Sequence, residues 1–123
     1  MRVLVLLAGL ALAAAAAAEA TPPPGASMHG LVMRGPVTPV CAIEQPCDAP
    51  ARGVTLVFTR NGRVFGRALT DAAGRYRLRL PAGVYTVRRG SVSGADRRLD
   101  PTRARARAGL DVRIDFHIDT GIR

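Results

Sequence analysis

The chain has no lysine, no tryptophan, only two cysteines and five aromatic residues among 123. Each shortage removes a class of chemistry. Without lysine there is no Schiff base, no Lys–Asn isopeptide cross-link and no Walker-type phosphate lysine. Without tryptophan, and with so few rings, there is no stacking platform for bases or sugars, which argues against a nucleic-acid partner. The two cysteines, Cys41 and Cys47, stand in a C-x₅-C spacing. That is not the C-x-x-C of dithiol oxidoreductases, and no histidine or further cysteine lies nearby to complete a zinc site. No paired carboxylates and no Ser/His/Asp spacing stand out. No cofactor is expected from these residues.

Arginine is abundant in compensation. The chain has 18 basic residues, all of them arginine, against 9 acidic ones, for a formal net charge of +9. Guanidinium groups suit paired hydrogen bonds to phosphate or carboxylate, so an anionic glycan, lipid surface or acidic envelope protein is the kind of partner such a chain fits.

Met1-Arg2, the apolar run Val3 to Ala18 and the small-x-small Ala18-Glu19-Ala20 read as a cleavable signal peptide over residues 1–20. The run is shorter than the roughly 20 strongly apolar residues of a spanning helix, and no later segment is long or apolar enough to span. Secretion or a periplasmic location is therefore expected, with no transmembrane segment after cleavage. Residues 21–27, TPPPGAS, form a proline-rich leader, and residues 28–123 suit one small domain with one core.

Within that domain Met28 to Met33 is the first expected strand, ended by Gly35-Pro36. Residues 36–53 hold Pro36, Pro39, Pro46 and Pro50, leave few N–H donors for a ladder, and read as a loop. In an exported protein the two cysteines in this loop most simply pair with each other, stabilising by roughly 2 kcal/mol in the chain-entropy model. Val54 to Arg60 and Val64 to Thr70 are β-branched and aromatic-rich runs joined by Asn61-Gly62, the preferred residues of a two-residue type I′ hairpin. Gly66 marks a weak point or a bulge in the second run. Gly90 to Asp100 reads as a polar crossover.

The stretch Thr70 to Val87, TDAAGRYRLRLPAGVYTV, carries the clearest local chemistry. Asp71 and Gly74 suit a turn in which the carboxylate accepts backbone N–H groups and the glycine takes positive φ. Arg75, Arg77 and Arg79 alternate with Tyr76, Leu78 and Leu80, the pattern of a half-buried strand. Pro81-Ala82-Gly83 then reverses the chain into Val84 to Arg89, so these two strands are expected to be neighbours, with the Tyr85 hydroxyl near a turn and bonded to backbone. The run T-D-x-x-G-x-Y-x-L-x-L-P-x-G-x-Y-x-V resembles the carboxypeptidase regulatory-like domains. The resemblance implies an all-β, Greek-key, prealbumin-like (transthyretin-like) sandwich of about seven strands, usually without catalysis of its own, here with one disulfide inside a loop.

Thr102 to Ala108 alternates arginine and alanine, and Asp111 to Asp119 puts Val112, Ile114, Phe116 and Ile118 on one face. A three-residue loop would pair these two strands and set Arg105 opposite Asp115. Two outward stripes follow, Arg75, Arg77 and Arg79 on one strand and Arg103, Arg105 and Arg107 on another, as the candidate anion-binding residues. The competing functional reading is a small transthyretin-like hydrolase or a metal-binding protein, which requires His29 and His117 to converge in one pocket. Copper at His29 with Met28 and Met33 is disfavoured, because Met28 and His29 point to opposite faces of a strand.

Overall fold

The structure is a computed structural model and describes residues 25–41, 47–90 and 98–122. The expected signal peptide, most of the leader and most of the Gly90 to Asp100 connection lie outside the described residues. In chain order the strands are β1 (Ala26–Gly35), β2 (Ala49–Pro50), β3 (Thr55–Arg60), β4 (Arg63–Leu69), β5 (Arg75–Leu80), β6 (Gly83–Arg89), β7 (Arg98–Asp100), β8 (Arg103–Ala106), β9 (Asp111–Arg113) and β10 (Phe116–Asp119). They form an all-β sandwich of two sheets.

One sheet is built around β1. Its first half lies between β5, antiparallel, and β9, parallel. Its second half lies between β2, antiparallel, and β10, parallel, with β7 beyond β10. The other sheet runs β4-β3-β6-β8, antiparallel throughout. Alternation places Met28, Val32, Tyr76, Leu80, Phe116 and Ile118 of the first sheet against Leu56, Phe58, Tyr85 and Val87 of the second. Phe58 meets Phe116 edge-on across the sandwich at 6.3 Å between ring centroids. Ala104 and Ala106 are buried on β8, where Ala104 pairs with the bulky Tyr85 and leaves it room.

Turn chemistry explains the local joints. Asn61 and Gly62 have φ of 53° and 76°, and the β3–β4 hairpin closes on them. The β4 register shifts between Val64 and Gly66, leaving Phe65 as the extra residue of a bulge. Asp71 Oδ1 accepts the N–H groups of Ala73 and Arg75, each at 2.9 Å, and holds its carboxyl below the usual value mainly through the Arg75 contact. Gly74 has φ 79° and lies so close to the Val32 carbonyl that a Cβ would stand 2.6 Å from it. Cys41 and Cys47 are bridged, with their Cα atoms 5.3 Å apart.

Several expectations are corrected. The first strand runs from Ala26 to Gly35, longer than Met28 to Met33. The proline-rich loop contains β2, whose Pro50 sits on an edge strand where no N–H is needed. There are ten strands among the described residues rather than about seven, partly because the last run breaks into β9 and β10. At that break Ile114 N–H donates to His29 O at 2.9 Å, and Asp115 Oδ1 accepts the Leu31 N–H at 2.9 Å.

Two pairings also differ. β5 and β6 are not neighbours: β5 pairs with β1, and β6 with β3 and β8. Pro81-Ala82-Gly83 is a corner between sheets, held where Tyr85 Oη donates to Pro81 O and Arg60 Nη1 donates to Ala82 O. The Asp111 to Asp119 run does not pair with Thr102 to Ala108. β8 joins β6, with Arg105 opposite Val84, while β9 and β10 join β1. In both cases an alternating strand can satisfy its apolar face in either sheet, since both inner faces are apolar.

Candidate functional site

Two outward surfaces carry the charged side chains. On the β1 sheet, register aligns Arg77, His29 and Arg113 on three adjacent strands, and Arg79, Ser27 and Asp111 in the row beside them. Here lies a depression of about 520 Å³ whose lining includes His29, Asp71, Arg75, Tyr76, Arg77 and Arg113. His29 Nδ1 is 3.1 Å from the Asp111 carboxylate, which also accepts the Ser27 hydroxyl at 2.9 Å. The Ser27 bond, and then His29, hold the Asp111 carboxyl below its usual value. Asp115 is lowered first by the Leu31 N–H and then by Arg113, whose Nε and Nη2 lie 3.1 and 3.3 Å from its two oxygens.

This is an oriented histidine without an activated nucleophile beside it. The Ser27 proton is directed to Asp111 rather than to the imidazole. Tyr76 donates its hydroxyl to Ile114 O at 2.6 Å, and burial pushes its ionisation well up, so it offers no phenolate. His117 belongs to a different cluster: its Nε2 is 3.3 Å from Asp48 Oδ2, and its strand partner is Met33. Since Met33 is four residues along β1 from His29, the histidines are separated by about 13 Å of strand. The two do not share a pocket. Met28 is fully buried on the opposite face of β1, and no group of three or more histidine, cysteine or acidic side chains among the described residues is placed to hold a metal ion.

The second surface is the outer face of the four-stranded sheet. β3, β4, β6 and β8 contain no acidic residue, and their register puts four of their arginines, Arg67, Arg88, Arg103 and Arg105, on this face. The six acidic residues among the described ones, Asp48, Asp71, Asp100, Asp111, Asp115 and Asp119, all lie on the β1 sheet or its adjoining turns. Among the described residues the acidic side chains are therefore confined to one sheet and its turns, whereas arginines stand on both. The candidate anion-binding stripes are divided by the same geometry: Arg75, Arg77 and Arg79 stand exposed on the β1 sheet, and Arg103 and Arg105 stand exposed on the opposite side. Arg107 lies past the end of β8.

The four-stranded face also holds residues that sequence reasoning did not assign to a site. Val57 pairs with Arg67 on one side and Arg88 on the other. It points away from the core, yet it is only 2% exposed. A depression of about 330 Å³ is lined there by Thr55, Val57, Arg67, Arg88 and Gly90. A signal for it existed in Leu56-Val57-Phe58: three consecutive apolar residues in a strand force one of them onto the outer face.

No family model matches the sequence, and no curated protein matches it. Solved structures do share its fold. The TIE protein of Bacillus anthracis matches with TM-score 0.52 and 13% identity, over 78% of this chain and 16% of that one. GBS52, the minor pilin of Streptococcus agalactiae, matches with TM-score 0.52 and 9% identity over 80% of this chain and 45% of its own. A DUF3823 family protein from Parabacteroides merdae matches with TM-score 0.50 and 13% identity over 78% and 46%. The chain thus spans less than half the length of each. At these identities the likeness shows the β-sandwich fold alone.

Proposed function

We propose that this chain is an exported, non-catalytic binding or assembly module of the cell envelope, and that it recognises an anionic surface through the outer face of its four-stranded sheet. The observation that carries this reading is the distribution of charge: four outward arginines, Arg67, Arg88, Arg103 and Arg105, on a sheet whose strands hold no carboxylate. On the other sheet Arg113 is engaged by Asp115 and His29 by Asp111, so the cationic potential there is partly neutralised. The run from Thr70 to Val87 supports placing the module beside the carboxypeptidase regulatory-like domains, and the disulfide agrees with an oxidising compartment. The hydrolase and metal-binding alternative has no support in the geometry, since each histidine is bound to its own acid.

The test is retention of the protein on vesicles of phosphatidylglycerol and phosphatidylcholine, compared with vesicles of phosphatidylcholine alone, at low and then high salt. Retention on the anionic vesicles that falls steeply with salt is expected, because exposed charges are screened within about 10 Å at 0.1 M. Equal retention on both vesicles, or none at low salt, overturns it.

A further inference from the structure

The pairing of Arg67 and Arg88 across Val57 is more specific than a basic face requires. They lie on β4 and β6, with only β3 between, so their Cα atoms are about 10 Å apart, twice the strand spacing. Both side chains are exposed, and neither has a hydrogen-bond or ion-pair partner among the described residues. The depression between them has Val57 as its floor and Thr55 at one end, where the Thr55 hydroxyl likewise makes no hydrogen bond among the described residues. Gly90 closes the same end: its N–H donates to Thr55 O at 2.9 Å, and a Cβ there would stand 3.3 Å from Val57 Cγ2.

From this arrangement we infer that the depression over Val57 is an oxyanion site for a phosphomonoester, gripped by Arg67 and Arg88 from opposite sides with the Thr55 hydroxyl as a third donor. The inference rests on the proposed reading of this face and gives it a specific ligand. A carboxylate has two oxygens in one plane and is satisfied by a single guanidinium fork. Two forks facing each other across a gap match an ion whose oxygens point to several sides, as a terminal phosphate's do. The apolar floor keeps water from beneath the ion, which strengthens both contacts. At about 330 Å³ the depression is at the small end of the roughly 300–1,000 Å³ range of ligand sites, which suits an end group rather than a whole molecule. No carboxylate stands on these four strands to compete for the guanidinium groups.

The experiment is a titration with inorganic phosphate, at ionic strength held constant with chloride, followed by amide and arginine Nε–H NMR shifts. Saturable shifts confined to Thr55, Val57, Arg67, Arg88 and Gly90 are expected. Arg67→Gln and Arg88→Gln should each weaken binding about tenfold or more, as loss of a charged hydrogen-bonding partner does. Arg67→Lys and Arg88→Lys should stay weak, because they restore charge but not the fork. Arg98→Gln, on β7 of the other sheet, should leave phosphate binding unchanged. Vesicles bearing phosphatidic acid, compared with phosphatidylglycerol at equal charge, separate the sources: preference for the former, abolished by free phosphate, assigns a lipid headgroup, whereas binding of free phosphate alone assigns a soluble phosphomonoester. Non-saturating shifts spread over all exposed arginines, or full binding by the Arg67→Gln protein, would overturn the site. If vesicles still retain a protein that gives no phosphate titration, the pocket falls and the surface reading stands; if phosphate titrates but no anionic vesicle retains the protein, the reverse holds.

Discussion

Thr70 shows how much a single hydroxyl can organise. It is 3% exposed, donates to Ala51 O at 2.6 Å and accepts the Val54 N–H at 2.8 Å, tying the segment before β3 to the end of β4. Thr70→Val keeps the shape and strands that buried N–H, so it should lower unfolding stability by about 1–3 kcal/mol in a urea titration. The sequence puts Thr70 at the head of the T-D-x-x-G run but does not show this role, because Ala51 lies in the proline-rich loop that the periodicity does not reach. Asp111 is legible in a different way, as an acid near a strand end, but only the folded register puts Ser27 and His29 beside it. Its carboxyl is held low in the fold, so near the ordinary value of 3.8 the unfolded chain binds more protons and stability rises with pH. The contribution is complete above that value and is lost as pH falls through the lowered folded one. Asp111→Asn should flatten this part of the acid limb in melts taken below about pH 5, with Asp115 accounting for a remaining slope of the same sign.

At the scale of elements, what could be read from the chain was whatever is decided within a few residues. Asn61-Gly62 and Asp71 to Gly74 announce their turns because positive φ and side-chain capping are local demands. Partner choice is not local. β5 and β6 share the alternation that a hairpin would have, yet the Pro81 to Gly83 corner sends them into opposite sheets, and β8 and β9 part in the same way. The corner itself is built from long-range atoms: the Tyr85 hydroxyl on Pro81 O, and the Arg60 guanidinium on Ala82 O while stacked 4.6 and 5.1 Å from the centroids of Phe65 and Tyr85. Tyr85→Phe removes only the hydroxyl and should cost about 1 kcal/mol. Gly83→Val should cost about 2 kcal/mol or more, because φ is 151° there, a conformation a β-branched residue rarely adopts, and the new side chain would push the Arg60 guanidinium off Ala82 O. A Gly83→Val midpoint no lower than that of Tyr85→Phe would mean that the backbone conformation at Gly83 does not limit the corner.

For the molecule as a whole the deciding property is which face its charge occupies, and that follows from sheet membership. Arg77 and Arg79 project from the β1 sheet beside Asp111, whereas Arg103 and Arg105 project from a sheet with no acid. Replacing either pair by glutamine lowers the formal net charge by two, from +9 to +7. If net charge alone governed attachment to an anionic surface, the two double variants would behave alike. If the four-stranded face does the docking, each of its arginines near the surface contributes about 1 kcal/mol, so Arg103→Gln with Arg105→Gln should weaken vesicle retention about thirtyfold at low salt. The Arg77→Gln, Arg79→Gln protein should then change much less, since those side chains face away from the bilayer when the four-stranded face is down. Retention curves on phosphatidylglycerol vesicles for the two proteins at one ionic strength make the comparison directly, and coincident curves would assign attachment to overall charge rather than to a face.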